Sequence, residues 1–189
     1  MTVRRGFIQT ETELQSGSRL RTEHLDIIPS TPQLAETEQN HPAAQLGHLL
    51  EALVPDNWPP PIVEDRNSTD GAGWWDWYII KHEPEGAILI GILGLKGWPS
   101  VSRTVRVGCG LLPEFQDHGY GTEAVDAIAS WALEQPHIDR VIADTPTDNY
   151  LAVGVLRKLG FAPIESDDPD LMRFEKSRAS FADYRATGG

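Results

Sequence analysis

Val107-Gly-Cys-Gly-Leu-Leu-Pro-Glu-Phe-Gln-Asp-His-Gly-Tyr-Gly-Thr-Glu-Ala124 is the stretch whose reading decides the fold. Val105, Val107, Cys109 and Leu111 alternate with Arg106, Gly108 and Gly110, which is a strand pattern that ends at Pro113. Helical spacing follows in Ala124, Ile128 and Ala132, until Pro136 stops it. A strand therefore runs through a short loop into a helix. Gly119 and Gly121 have no Cβ, so the backbone can turn sharply there and a ligand can come close. The first N–H groups of the new helix lack intrahelical partners and carry the positive end of its dipole, which suits an anion such as a diphosphate. Each hydrogen bond to a charged oxygen contributes about 1.5–3 kcal/mol, so three or four would anchor a diphosphate without a lysine. The pattern alone also allows a tight strand-to-helix turn and nothing more. A dinucleotide fold would want a third glycine where Ala124 stands and an acid about 20 residues on. Asp144 lies near that distance, but the hairpin-rich first half does not fit such a fold. A P-loop is excluded, because no Gly-Lys-Ser/Thr follows. Cys109, alternating with apolar residues, reads as a small core side chain.

Working outward, Leu20–Ile27 alternates imperfectly and predicts a first strand before Pro29. Ser30 or Thr31 can cap a short helix with Pro32 in its first turn. After Asn40 and Pro42, Leu46, Leu49, Leu50 and Leu53 form one apolar helical stripe. Residues 54–73 break the pattern with prolines and glycines and predict a loop or flexible flap. Trp75–Lys81 and Ala87–Leu95 read as two strands joined by a turn at Glu83–Gly86. Downstream, Arg140–Ala143 is a short strand. Ala152, Val155, Leu156 and Leu159 make a second helical stripe closed by Gly160. Phe161–Glu165 and Leu171–Glu175 form a closing strand pair. Residues 1–18 predict a loose arm, 19–176 a single domain and 177–189 a polar tail. The element order predicts an α/β (α+β) domain with a mixed sheet.

The chain has 189 residues, 40% of them hydrophobic, which suits one core of ordinary size. Its formal net charge of −12 argues against nucleic acid and acidic membranes as partners and favours basic ones. A single cysteine excludes a disulfide framework and fits a reducing compartment. Neither a signal peptide nor a membrane span is legible, so a cytoplasmic location is expected.

Two motifs carry a family resemblance. Gln116-Asp-His-Gly-Tyr-Gly121 resembles the acyl-CoA signature Gln/Arg-x-x-Gly-x-Gly/Ala of the GNAT superfamily of N-acyltransferases. Asn149-Tyr-Leu-Ala-Val-Gly-Val-Leu-Arg-Lys-Leu-Gly-Phe161 resembles that family's second motif. Arg19–Pro29 is similar to the opening of the ribosomal-protein N-acetyltransferase branch, and the likeness spans about residues 19–176. The resemblance implies a mostly antiparallel sheet of six to seven strands flanked by about four helices. Its fourth and fifth strands splay into a V. Acetyl-CoA is implied as cosubstrate, with no metal. Pantetheine would bond backbone groups near Leu111 and Leu112. The loop of Gln116, Asp117, His118, Gly119, Tyr120, Gly121 and Thr122 would hold the diphosphate, with Asn149 near the pantetheine arm. A primary amine, on a protein N-terminus or a small cation, would attack the thioester directly, and a homodimer is compatible.

Three positions depart from the family pattern. Leu156 stands where some relatives have a tyrosine acid, Ala152 where a serine is common, and Arg106 where many relatives carry an acid that can act as base. Asp76 and Glu114 are the remaining candidate bases, each with an alternative reading as a plain surface charge. His118 reads as a phosphate-side neighbour. The Trp74-Trp75-Asp76-Trp77 cluster reads equally as an acceptor pocket and as core or dimer surface. The departures also allow a catalytically silent acyl-CoA-binding module in place of an enzyme.

Overall fold

The alternation that opens the chain's central motif becomes strand β5, Thr104–Leu111, in the middle of an eight-stranded sheet. The computed structural model describes residues 19–40, 43–60, 74–97 and 102–181, with Trp74 and Trp75 described by backbone alone. The arm expected over 1–18, residues 61–73 of the expected flap, and the tail beyond 181 lie outside the described residues.

Upstream strands are β1 (Leu20–Arg21), β2 (Leu25–Pro29), β3 (Trp74–Glu83) and β4 (Gly86–Lys96). Downstream lie β6 (Arg140–Pro146), β7 (Ala162–Ile164) and β8 (Leu171–Ser177). Among the described residues, four α-helices join them: α1 (Pro32–Asn40), α2 (Ala43–Leu50), α3 (Tyr120–Glu134) and α4 (Tyr150–Lys158). The strand order is β1-β2-β3-β4-β5-β6-β8-β7, antiparallel throughout except for the β5–β6 pair. The mixed, mostly antiparallel sheet expected is therefore present.

One more strand appears than expected, because the first strand is a small hairpin. Thr22 breaks it: its hydroxyl and its N–H both engage the Leu25 carbonyl, turning the chain between β1 and β2. Asp26, 2% exposed, locks the two strands by accepting from Arg21 Nε (2.9 Å) and Arg19 Nη1 (3.2 Å). Thr31 Oγ1 accepts from the Leu34 N–H at 3.2 Å and caps α1. The stripe expected in α2 keeps only Leu46 and Leu50 inward. Leu53 lies past the helix end and bridges to Ile88 instead.

Both faces of the sheet are used unequally. Leu25, Ile27, Trp77, Ile79, Leu93, Leu95, Val105 and Val107 pack with Ile128, Ala132, Val153 and Leu156 into one core under α3 and α4. A smaller core joins Leu34, Leu46 and Leu50 of α1 and α2 to Tyr78, Ile80, Leu89 and Ile92. Among the described residues, no side chain of β5, β6 or β8 belongs to this second core. Chain packing continues past 176: residues 178–181 are helical, Phe181 is buried in the main core, and Arg178 Nη2 donates to the Gln135 carbonyl at 2.6 Å.

Candidate active site

β5 and β6 share rungs at Thr104↔Arg140, Val105↔Val141 and Arg106↔Ile142 and no further among the described residues. Both strands continue, to Leu111 and Pro146. Their carboxyl halves therefore part, which is the splay expected between the fourth and fifth strands when the opening hairpin is counted as one. A crevice at the carboxyl ends of parallel strands, flanked by the helices that follow them, is the usual ligand position in open sheets.

Hydrogen bonding shows which groups line the crevice. The Leu112 N–H donates to the Ile90 carbonyl at 2.9 Å, and the Leu112 carbonyl accepts from Phe115 N–H. Ile90 is the extra residue of a β-bulge, for Ile79 pairs with Gly91 while Ile80 pairs with Leu89. Backbone direction alternates along an antiparallel strand, so Gly110 and Leu112 address β4, whereas Val107, Cys109 and Leu111 address the crevice. Of the two residues expected to offer backbone groups there, Leu111 points the right way. Leu112 does not, because its N–H already bonds across to the bulge. The Leu111 carbonyl accepts from Gln116 Nε2 at 3.0 Å, so Gln116 braces the strand end.

The loop then enters α3. Asp117 and Gly119 have φ of 62° and 88°, and Gly119 is the N-cap of the helix. The first helical bond runs from Glu123 N–H to the Gly119 carbonyl (3.0 Å), and no side chain caps the turn. The amides of Tyr120, Gly121 and Thr122 are thus left without helical partners. Gly119 is required by its backbone, since a Cβ there would meet nothing within 4 Å but φ is left-handed. At Gly121 a Cβ would find only Leu111 Cδ1, at an ordinary 3.5 Å. Nothing in the protein demands a glycine at 121; what its missing side chain leaves clear is the space beside the open amides. These residues fit a diphosphate.

The loop's two rings pack on each other and on neighbouring elements. Tyr120 is flanked by the stacked His118 ring (6.0 Å), an edge-on His24 (6.2 Å) and Lys81 Nζ (5.1 Å). His118 Nδ1 contacts the Gln116 carbonyl, so that nitrogen carries the proton. Glu123 accepts from His24 N–H (2.8 Å) and His24 Nδ1 (3.0 Å). Burial alone would raise its carboxyl, but hydrogen bonds from Thr22 and His24 outweigh that and hold it below the usual carboxylate range.

At the other lip, Asn149 Oδ1 accepts from Ala152 N–H at 3.1 Å and caps α4. Tyr150 and Leu151 on that first turn are 80% and 70% exposed. Leu156 is buried in the main core, so no proton donor stands at its position.

Cys109 overturns an expectation. Alternation argued for burial, but the strand pair that would cover it ends at Arg106, and the side chain is exposed. Water reaches it, while the protein atoms around it still raise the thiol above its ordinary range. Asp76 is half-buried on β3, level with Gly94 and Gly108 and about two strand spacings, roughly 10 Å, from β5. Glu114 is exposed on the turn after β5, and both its oxygens accept from Asn57 Nδ2 at 3.1 Å. The two candidate bases are not brought together. Trp77 belongs to the core, against Trp131 at 4.9 Å, which removes it from an acceptor pocket.

One constellation was missed. Asp144, whose side chain is 4% exposed, receives Arg173 Nε (2.8 Å) and Nη2 (3.3 Å) and stands 3.3 Å from Arg106 Nε. The signal was present in Arg140–Pro146, where Val141, Ala143 and Thr145 alternate with Ile142 and Asp144. That period places Asp144 on the same face as Arg106. Among the described residues no group of His, Cys, Asp and Glu could hold a metal ion, and no helix is long and apolar enough to cross a membrane.

Comparison with known proteins places this geometry. Residues 31–162 match a family model described as an acetyltransferase (GNAT) domain. A Bacillus subtilis protein named as an uncharacterized N-acetyltransferase, YjdG, is 28% identical over 153 residues, covering 76% of this chain and 86% of that protein. Two solved structures of spermidine N-acetyltransferase from Vibrio cholerae share the fold at 14% identity. One, a dodecamer in an intermediate state, has a TM-score of 0.51 and covers 59% of this chain and 68% of that one. The other, in complex with CoA and spermine, has a TM-score of 0.50 and covers 58% and 68%.

Proposed function

The chain belongs to the GNAT acetyltransferase family, and from that premise we propose that it moves an acetyl group from acetyl-CoA to a primary amine by direct attack in a ternary complex. The observation that carries this reading is the uncapped first turn of α3 beside the parted strands. The amides of Tyr120, Gly121 and Thr122 bind the diphosphate, with the loop of Gln116, Asp117, His118 and Gly119 shaping its approach. The pantetheine arm runs along β5, where Leu111 and Cys109 direct backbone groups into the crevice, and Asn149 borders it from α4. The thioester oxygen meets a crevice-facing N–H of β5, which stabilises the oxyanion formed on attack.

Most of the rate enhancement comes from holding amine and thioester in line. Asp76 and Glu114 are the candidate bases for the amine proton. Asp76 lies on the sheet face away from α3, the side from which an acceptor reaches the gap, and Glu114 borders the loop. Leu156 cannot protonate the leaving thiolate, so that proton comes from water or the acceptor. Deprotonating a lysine amine near neutral pH costs about 4 kcal/mol and an α-amine about 1 kcal/mol, so a site without a strong base favours the α-amine. Self-association fits the same reading, since one structural neighbour is named as a dodecamer.

Thermal shift and thiol release test it together. CoA at one hundred times its dissociation constant should add about 2.7 kcal/mol of stability. Acetyl-CoA with an amine panel should release free thiol in step with acetylated product. A chain that neither binds CoA nor releases thiol with any amine would end the proposal.

A further inference from the structure

Arg106 stands at the last rung before β5 and β6 part, and its side chain leaves the sheet on the face away from α3 and α4. That is the face from which an acceptor must come, because α3 and α4 cover the other one. Described residues of β5, β6 and β8 have no helix over them there. The next residue of β5 on this face is Gly108, level with Gly94 on β4. Two neighbouring strands thus present no side chain directly beside the place where the crevice begins.

Two arginines and two aspartates meet at this spot, Arg173 being shared between Asp144 and, at 3.5 Å, Asp167. Asp144 is already matched by the two-pronged contact from Arg173, a partner directly across the β6–β8 ladder. Arg106 adds a second guanidinium to the same carboxylate, its Nε 3.3 Å from Oδ2, and among the described residues its terminal nitrogens make no hydrogen bond. Its side chain keeps 37% of its surface in solvent. Lys96 is its rung partner across β4 and shares its face. A fixed guanidinium with unused donors, next to a bare glycine floor, stands in a chain whose net charge is −12. The overall balance therefore does not account for it. Arginine's planar fork suits a carboxylate, and a cationic acceptor arriving here would meet like charge.

We propose that Arg106 is a specificity-determining residue that receives an anionic group of the acceptor, so that the favoured substrate is an amine with a nearby carboxylate, such as an acidic peptide N-terminus. This rests on the acetyl-transfer reading and selects within it: a polyamine is the disfavoured class. Asp144 and Arg173 act as positioning residues, holding the guanidinium at the mouth of the crevice.

The test uses the full chain, acetyl-CoA and paired peptides that differ only by Asp or Asn at the first position, with spermidine as a third acceptor. The expected result is kcat/KM at least about tenfold higher for the Asp peptide than for either alternative, the difference lying mainly in KM. Arg106→Gln should bring the two peptides to near parity, and Arg106→Lys should keep part of the preference. Both variants should bind CoA within about twofold of wild type, which also shows that they are folded. Equal rates on the two peptides, a faster reaction with spermidine, or a preference that survives Arg106→Gln would overturn the proposal. So would a preference for succinyl-CoA over acetyl-CoA that vanishes in Arg106→Gln while acceptors remain undistinguished, since that would put the carboxylate on the acyl group. Failure of CoA binding in wild type would strike the acetyl-transfer reading itself and is read separately, in the thermal shift.

Discussion

Two helices begin at the lips of the same crevice, and they begin differently. At α4 the Asn149 side chain satisfies the Ala152 N–H, so the helix closes its own end and shows solvent the apolar side chains of Tyr150 and Leu151. At α3 the capping residue is Gly119, which has no side chain to offer, and three amides stay open behind a cleared space at Gly121. A helix capped by glycine in place of a polar side chain gives up about a few tenths of a kcal/mol of stability. The fold bears that cost at one lip and avoids it at the other, leaving three amides open at α3 and one satisfied by a side chain at α4.

The sharpest way to break this contrast is Gly121→Val. Its Cβ fits the protein but its methyls fill the diphosphate space, so CoA affinity should fall at least about 100-fold by titration, as two charge-assisted hydrogen bonds are lost. The melting temperature should hold or rise, since a helical glycine costs about 0.5–1 kcal/mol. Asn149→Ala should do the opposite. Loss of the cap should lower stability by about 1 kcal/mol and Tm by about 2–4 °C, while CoA affinity falls less than tenfold. If Asn149→Ala were the more damaging to binding, the assignment of roles would be reversed. The smallest effect concerns the shared crevice. With its thiol raised by the protein around it, Cys109 should react with maleimide slowly at pH 7, and its rate should climb as pH rises. Saturating CoA should slow that labelling several-fold if the ligand lies along β5.

The α3 end was legible in the sequence because its signal is local. Two glycines between a strand pattern and a helix pattern leave few options, and Gln116–Gly121 carried the family's signature as well. The α4 stripe and its Gly160 stop were legible for the same reason, although of Ala152, Val155, Leu156 and Leu159 only the last two are buried, and Val153, outside the stripe as read, is buried with them. What escaped depends on contacts between distant strands. Cys109 obeys the alternation of Val105 and Val107, yet the alternation says nothing about where a neighbouring strand leaves. The bulge at Ile90 sits in Ile88–Leu95, a run so apolar that no break in period could show, and the β4–β5 register that turns the Leu112 amide toward Ile90 is equally invisible in it. Asp144 looked like an isolated acid until the sheet laid Arg106 and Arg173 on either side of it.

The sheet's halves meet over three rungs, from Thr104 to Arg106. Among the described residues, backbone rungs join these two boards only there, and the single core under α3 and α4, which takes residues from both, supplies the rest of the join. The Arg106–Asp144 pair lies on the seam itself and acts as its pin. Any molecule that lies along β5 while touching α4 would span both boards, and occupancy of the crevice would then brace the whole domain.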